Sequence, residues 1–209
     1  MFVCISPETT NINSFLKLNE LDIPVIFYDK VPEKENCNKV CVADEACATM
    51  AANLIITKKK KNVLALFGNS HLLMTRKRMN AFVETINKAE TNIKLTTDYA
   101  LSTTEAEVLT TTYWHKQKPD TIFCMNDEIL TGVMKAIQKK GLKLMEDVSV
   151  ITISNGEIPK LYFPEITYVE TSGFKLGKLA FSSMLSCLGG STFIRDVSIE
   201  SILVEGGSI

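Results

Sequence analysis

Long apolar runs and an excess of charge of one sign are both missing from this sequence. No stretch approaches the roughly 20 consecutive apolar residues that a membrane-spanning helix needs, so we expect no contact with a membrane. The 23 basic residues are balanced by 24 acidic ones, which gives a net charge of -1. This balance excludes a general electrostatic attraction to nucleic acid or to anionic lipid. The opening MFVCIS has no basic leader and no cleavage site, which favours a cytoplasmic location.

Cysteine and histidine do not occur in the patterns that bind metals. The six cysteines are scattered, no two form a CxxC pair, and both histidines lie far from them in sequence. Cys37, Cys41 and Cys47 are close enough to suggest a metal site, but structural or incidental thiols fit better. Cys4 and Cys124 lie in apolar, strand-like runs, where free thiols are usually buried. We therefore expect a reducing compartment and no bound metal.

The motifs of common catalytic sites are missing as well. Neither GxGxxG nor GxxxxGK[ST] occurs, so no glycine-rich turn is available to approach a pyrophosphate. No GxSxG motif occurs, and neither His71 nor His115 accompanies a serine or cysteine in a strained turn. We expect neither a cofactor nor an enzymatic activity, although a small α/β enzyme stays open as an alternative.

Short apolar runs alternate with longer segments in which apolar residues recur at helical spacing. This alternation is typical of parallel βαβ units. Strands are predicted at 2–5, 23–28, 63–67, 121–124 and 148–153, with a weaker one at 93–95. Helices are predicted after an Asp44 N-cap, over 74–86, over 106–114, after an Asn126 N-cap and over 176–188. The chain therefore reads as an α/β protein.

Polar residues collect directly after several of these strands. Asp29 follows IPVIFY, Asn126 follows IFCM, and Ser154 and Asn155 follow VSVITI. Ligands of open parallel sheets bind beyond the carboxyl ends of the strands, so these side chains are candidate ligand contacts. Asn126 could equally serve only as a helix cap.

Six segments resemble the effector-binding domain of LacI/GalR-type bacterial transcription regulators, and they follow in that family's order and spacing. They are IPVIFYDKVP at 23–32, VCVADEACATMAANLI at 40–55, RMNAF at 78–82, KPDTIFCMNDEILTG at 118–132, GLKLMEDVSVITISN at 141–155 and FPEITYVE at 163–170.

This resemblance implies a periplasmic-binding-protein-like type I fold, with two doubly wound parallel-sheet lobes of which the N-terminal one is incomplete. Residues 1–41 and 170–192 would form the remnant of the N-terminal lobe, and residues 42–169 and 193–209 the C-terminal lobe. A small polar effector, of which a carbohydrate is the expected kind, would bind between them. Its contacts would be Asp29, Arg78, Asn126 and Ser154, the last standing where the family commonly has Asp.

The resemblance also implies a homodimer that senses its effector and thereby controls operator binding. Operator DNA would be contacted only through an N-terminal helix-turn-helix domain that has no counterpart before Met1. A sugar-binding protein of an ABC importer shares the architecture and stays open as an alternative. Whether such a regulator would repress or activate is not predicted.

Overall fold

The computed structural model describes residues 1–89, 92–191 and 193–209, and in them strands and helices alternate along the chain. The strands are β1 (Phe2–Val3), β2 (Ile26–Tyr28), β3 (Asn38–Val42), β4 (Asn62–Phe67), β5 (Lys94–Tyr99), β6 (Thr121–Cys124), β7 (Ser149–Ser154), β8 (Thr167–Glu170), β9 (Asp196–Ile199) and β10 (Leu203–Val204). The helices are α1 (Asn13–Leu16), α2 (Asp44–Thr57), α3 (Leu73–Lys88), α4 (Thr103–Gln117), α5 (Asp127–Lys139) and α6 (Gly173–Leu188). The predicted α/β class is confirmed.

These strands form two separate sheets. The small sheet has the order β1-β2-β3-β9, and all of its strands are parallel. The large sheet has the order β10-β8-β7-β6-β4-β5 and is parallel except for β10, which runs antiparallel to β8. The chain passes from one sheet to the other after β3, after β8 and after β9. We call the two halves the small-sheet lobe and the large-sheet lobe.

The large sheet is buried between two pairs of helices. α2 packs against α3, and α4 packs against α5. The connections β4-α3-β5 and β6-α5-β7 run in opposite directions along the sheet, so right-handed crossovers place their helices on opposite faces. Both faces are therefore covered, which is why β4, β6 and β7 are buried almost throughout and rich in apolar residues. Phe82 of α3 stacks on Phe123 of β6 with ring centroids 4.4 Å apart.

The observed division of the chain into lobes differs from the predicted one at β9. We placed residues 193–209 with the large-sheet lobe, but β9 pairs with β3 in the small sheet, and only β10 joins the large sheet. The reason is that α6 packs on β2, β3 and β9, which returns the chain alongside β3. Thr192, the end of the predicted 170–192 segment, lies outside the described residues. The other lobe boundaries stay a proposal.

Helix α5 approaches α4 at Gly132, and this contact gives a stability prediction. A Cβ at Gly132 would lie 2.7 Å from the Ala106 Cβ and would also meet the Thr103 carbonyl oxygen. Helix propensity alone favours alanine over glycine by about 1 kcal/mol, but overpacking costs about 1–3 kcal/mol. Gly132→Ala should therefore lower the free energy of unfolding in a urea titration.

Gly177 provides the matched control, because it lies inside α6 with no atom within 4 Å of an added Cβ. Gly177→Ala should raise the free energy of unfolding by about 0.5–1 kcal/mol through propensity alone. An equal gain in both variants would contradict the close α4–α5 packing.

Candidate functional site

A cavity of about 210 Å³ lies between the two lobes, where the carboxyl ends of strands from both sheets meet. All four residues that the resemblance implied lie at it, so the structure brings the predicted site residues together. That they bind a ligand stays a prediction. The lining consists of Asp29, Val42, Met74, Arg78, Asn126, Asp127, Ile153, Ser154, Asn155, Thr171, Ser172, Gly173 and Leu176.

Arg78 reaches the cavity from α3 and is held by a buried ion pair. Its Nε donates to Asp44 Oδ1 over 2.8 Å, and its Nη1 donates to the Met125 carbonyl oxygen over 3.1 Å. Burial raises the pKa of the Asp44 carboxyl, and the neighbouring Arg78 opposes that rise. These bonds connect α2, α3 and the end of β6, so the guanidinium has a fixed position.

The sequence prediction that Asp44 is an N-cap was wrong. Ala43 occupies the cap position, and no side chain accepts a bond from the first turn of α2. The Asp44 carboxylate instead accepts from Arg78, which is a stronger, charge-assisted bond. Asp44 therefore supports the site indirectly. No local sequence pattern indicates this role, because its partner lies 34 positions away.

Asn126 combines both of the roles that the sequence left open. Its Oδ1 accepts from the Ile129 N–H over 2.9 Å, so the side chain caps α5 as predicted. The amide nitrogen Nδ2 lies 3.7 Å from the position that a Cβ on Gly68 would take. Capping uses the oxygen and leaves the amide as a donor.

Asp29 follows β2 in a left-handed backbone conformation, with φ of 59°. Asp adopts this region more readily than most residues, and such conformations often occur at functional sites. Its backbone N–H donates to the Val40 carbonyl over 3.0 Å, which anchors the turn to β3. Cys4, predicted to be buried, is exposed and lies 3.9 Å from Asp29 Oδ2, because β1 ends before it.

Ser154 ends β7 and is buried, and its hydroxyl oxygen accepts one internal hydrogen bond. Its Oγ accepts from the Gly156 N–H over 2.9 Å. Beside it lies Asp127, the first residue of α5, whose pKa is raised by burial although the Ser154 side chain and the Asn155 backbone oppose that rise. Asp127 was not among the predicted site residues, although its position directly after Asn126 could have indicated it.

The remaining lining is an apolar wall and the beginning of α6. Val42, Met74, Ile153 and Leu176 form the wall, and Ser172 caps α6 by accepting from the Lys175 N–H. Few polar groups against an apolar wall are typical of sites for small ligands. Among the residues that the structure describes, no group of His, Cys, Asp and Glu is arranged to hold a metal ion.

A second cavity, of about 430 Å³, lies between loops of both lobes. Arg76 of α3 stands at it, donating from Nη1 to the His71 carbonyl and pairing from Nη2 with Glu33 Oε2 at 2.6 Å. None of the predicted site residues lines this cavity, so we assign the candidate site to the smaller one.

The sequence profile of the periplasmic binding protein-like domain matches residues 56–209, more than half of the chain. The repressor PurR of Vibrio atlanticus (strain LGP32) is 26% identical over 174 residues, which cover 78% of this chain and 50% of the relative. PurR of Vibrio cholerae serotype O1 (strain M66-2) is 25% identical over 190 residues, covering 88% and 56%. The chain thus spans about half the length of the curated relatives it matches.

Solved structures of transcription regulators share the fold. A LacI family regulator from Enterococcus faecium with bound ribose superposes with a TM-score of 0.87 at 15% identity, covering 99% of this chain and 78% of that one. A sugar-binding LacI family regulator from Enterococcus faecalis gives 0.85 at 18% identity, with the same coverage. In the described part of the chain, no helix has both the length and the apolar character needed to cross a membrane.

The profile match, the repressor relatives and the shared two-lobe fold all agree with the resemblance drawn from the sequence. The chain therefore belongs to the periplasmic binding protein-like domain family, in the form found in the effector-binding domain of LacI-type regulators.

Proposed function

We propose that this chain is the ligand-sensing domain of a LacI-type transcriptional regulator and that it binds a small, polar, sugar-like effector. The proposal depends on one observation: residues from both lobes line the same cavity. They are Asp29, Arg78, Asn126 and Ser154. Effector occupancy would then control operator binding, because a ligand held by both lobes stabilises one arrangement of them over others.

The chemistry of the cleft supports a polyhydroxylated effector. The Asp29 carboxylate accepts hydrogen bonds, the Arg78 guanidinium donates them through a rigid fork, and the Asn126 amide donates through Nδ2. A ring of hydroxyl groups needs both kinds of partner. Similar structures carry the descriptions "sugar-binding" and "with bound ribose", which favours a carbohydrate here.

We extend the proposal to the partners of the whole regulator. A dimeric lac repressor structure shares the fold, with a TM-score of 0.83 at 17% identity, which supports a homodimer. Operator DNA would be contacted through a helix-turn-helix segment outside these residues, and the protein would act in the cytoplasm.

The importer and enzyme alternatives have less support. The relatives are transcriptional repressors, which favours regulation over transport or catalysis. His71 and His115 do not line the candidate cavity, so neither is placed to act as a base there. We therefore propose no enzymatic activity.

The proposed site gives a prediction for Asp29. Asp29→Ala should weaken effector binding roughly ten-fold or more, because a buried hydroxyl of the ligand loses its charged acceptor. Calorimetric titration with a panel of sugars and nucleosides would measure the loss for whichever compound binds.

Asp22→Ala is the matched control, since Asp22 is exposed and has a similar left-handed backbone, with φ of 56°. It should leave the affinity unchanged. Equal affinity in the Asp29 variant and the wild type would refute the assigned site. Arg78→Ala is less informative, because it also leaves Asp44 buried without its partner.

A further prediction concerns DNA. Residues 1–209 alone should not bind an operator selectively, because the net charge is only -1 and the sequence shows no helix-turn-helix with a basic recognition helix. Gel shifts with promoter DNA at low and high salt would measure this. Sequence-selective binding that persists at high salt would contradict the prediction.

A further inference from the structure

The first turn of helix α3 belongs to the large-sheet lobe but contacts the small-sheet lobe. Leu73, the first residue of α3, packs against an apolar cluster whose other members all lie between residues 3 and 41. That cluster includes Phe27 of β2 and Val31 of the loop after it, and both are buried. An apolar side chain at such a contact is stabilising, because its surface is removed from water. Leu73 therefore joins α3 to the core of the other lobe.

Arg76, three residues further along α3, makes an ionic contact with the same lobe. Its Nη2 donates to Glu33 Oε2 over 2.6 Å, and Glu33 lies in the loop between β2 and β3. Its Nη1 donates to the carbonyl oxygens of Ser70 and His71, which fixes the guanidinium on the turn before α3. Exposed ion pairs usually contribute little, because two long side chains lose freedom when they pair. That cost is smaller here, since one of the two side chains is already held by other bonds.

The ion pair with Glu33 differs from other ion pairs of α3 in what it connects. Lys77 and Arg78 pair with carboxylates of α2, which lies in the same large-sheet lobe. Glu33 lies in the small-sheet lobe. Because Leu73 and Arg76 are three positions apart, they lie on one face of the helix. This face of α3 thus presents an apolar and a charged group to the other lobe.

The two lobes are incompletely packed around these contacts. The second cavity, of about 430 Å³, lies there, and residues of both lobes line it, among them Glu33, Leu73 and Arg76. The two lobes are therefore held together here by few contacts. Losing any one of them should change how much of the time the lobes stay together.

The effector site and these contacts share two segments of the chain. The loop after β2 supplies Asp29 to the candidate cavity and Glu33 to the second cavity. Helix α3 supplies Arg78 to the first and Arg76 to the second. A movement that separates Glu33 from Arg76 therefore also moves the two walls of the candidate cavity apart.

We infer that Glu33, Leu73 and Arg76 form an inter-lobe latch that holds the two lobes together in the absence of an effector. By keeping the walls of the candidate cavity close, the latch increases the fraction of molecules that are ready to bind, and the apparent affinity rises with that fraction. This consequence for the effector rests on the proposed function, whereas the latch itself depends only on contacts between the lobes.

The test measures the separation of the lobes without any ligand, by double electron–electron resonance between two spin labels. Leu21→Cys places one label on the small-sheet lobe, and Val108→Cys places the other on α4, because both residues are exposed. Cys4 and Cys187 are changed to serine so that they take up no label. The other four cysteines are buried and can stay.

Glu33→Gln removes the ion pair, and Leu73→Ala removes most of the apolar contact. Each should raise the ratio of separated to closed lobes about three- to five-fold, and the double variant should raise it further. Raising the salt concentration should increase the ratio in the wild type but not in Glu33→Gln, since salt screens an exposed pair.

Glu84→Gln is the matched control for the ion pair, because Glu84 pairs with Lys88 inside α3 and touches no other lobe. Leu101→Ala is the control for the truncation, since Leu101 is exposed in the large-sheet lobe. Neither should change the ratio. Unchanged distances in Glu33→Gln and Leu73→Ala, or equal changes in the two controls, would overturn the inference. A change in Leu73→Ala alone would overturn the role of the ion pair.

The same variants separate a failure of the latch from a failure of the proposed function. Calorimetric titration with ribose should show weaker binding in Glu33→Gln than in Glu84→Gln, although Glu33 does not line the candidate cavity. If ribose does not bind but the lobes separate in Glu33→Gln, ribose fails as an effector while the latch stands. If ribose binds and the lobes do not separate, the latch fails and the effector site stands.

Discussion

The buried ion pair between Arg78 and Asp44 fixes the part of the molecule on which the site depends. Asp44 is the first residue of α2, directly after the chain leaves the small sheet, and Arg78 lies in the middle of α3. A buried pair is stable only when its geometry is good and its other donors are satisfied, and the Met125 carbonyl meets part of that need. The pair therefore ties the crossover between lobes to the end of β6.

The sheet topology explains why the cavity lies where it does. From β4, the chain goes to β5 on one side and then returns to β6 on the other, so the strand order reverses between β4 and β6. A crevice opens at such a point beyond the carboxyl ends of the strands. Asn126 and Asp127 stand at this crevice, and Asp29 approaches from the small sheet, so the site consists of two facing sheet edges.

Sequence patterns predicted the parts of the fold that are determined locally. β4, β6 and β7 are short runs rich in apolar residues, and the buried residues of α2 and α5 recur at helical spacing, so all of these were found. β3 was not among the predicted strands, because the polar Asn38 and Lys39 begin it. Lys39 of β3 is buried and pairs with Asp196 of β9 at 3.6 Å. That pairing joins residues more than 150 positions apart, and no local pattern shows it.

The same limit applies to the site. Asp29 and Asn126 could be predicted because they follow apolar strands directly. The hydrogen bond that Ser154 Oγ accepts and the burial of Asp127 Oδ1 depend on how the ends of β6 and β7 pack together, which a sequence does not reveal. The sequence thus indicated the edge of the sheet at which the site lies, and the structure was needed to say which side chains are free to act.

The most direct test of the account is a map of where a ligand touches the protein. Backbone amide NMR spectra recorded while a binding sugar is added should show the largest shifts at Asp29, Asn126, Asp127 and Asn155, on both lobes. Shifts confined to the second cavity around His71 and Arg76, or to one lobe, would contradict the claim that the effector is held between the two sheet edges.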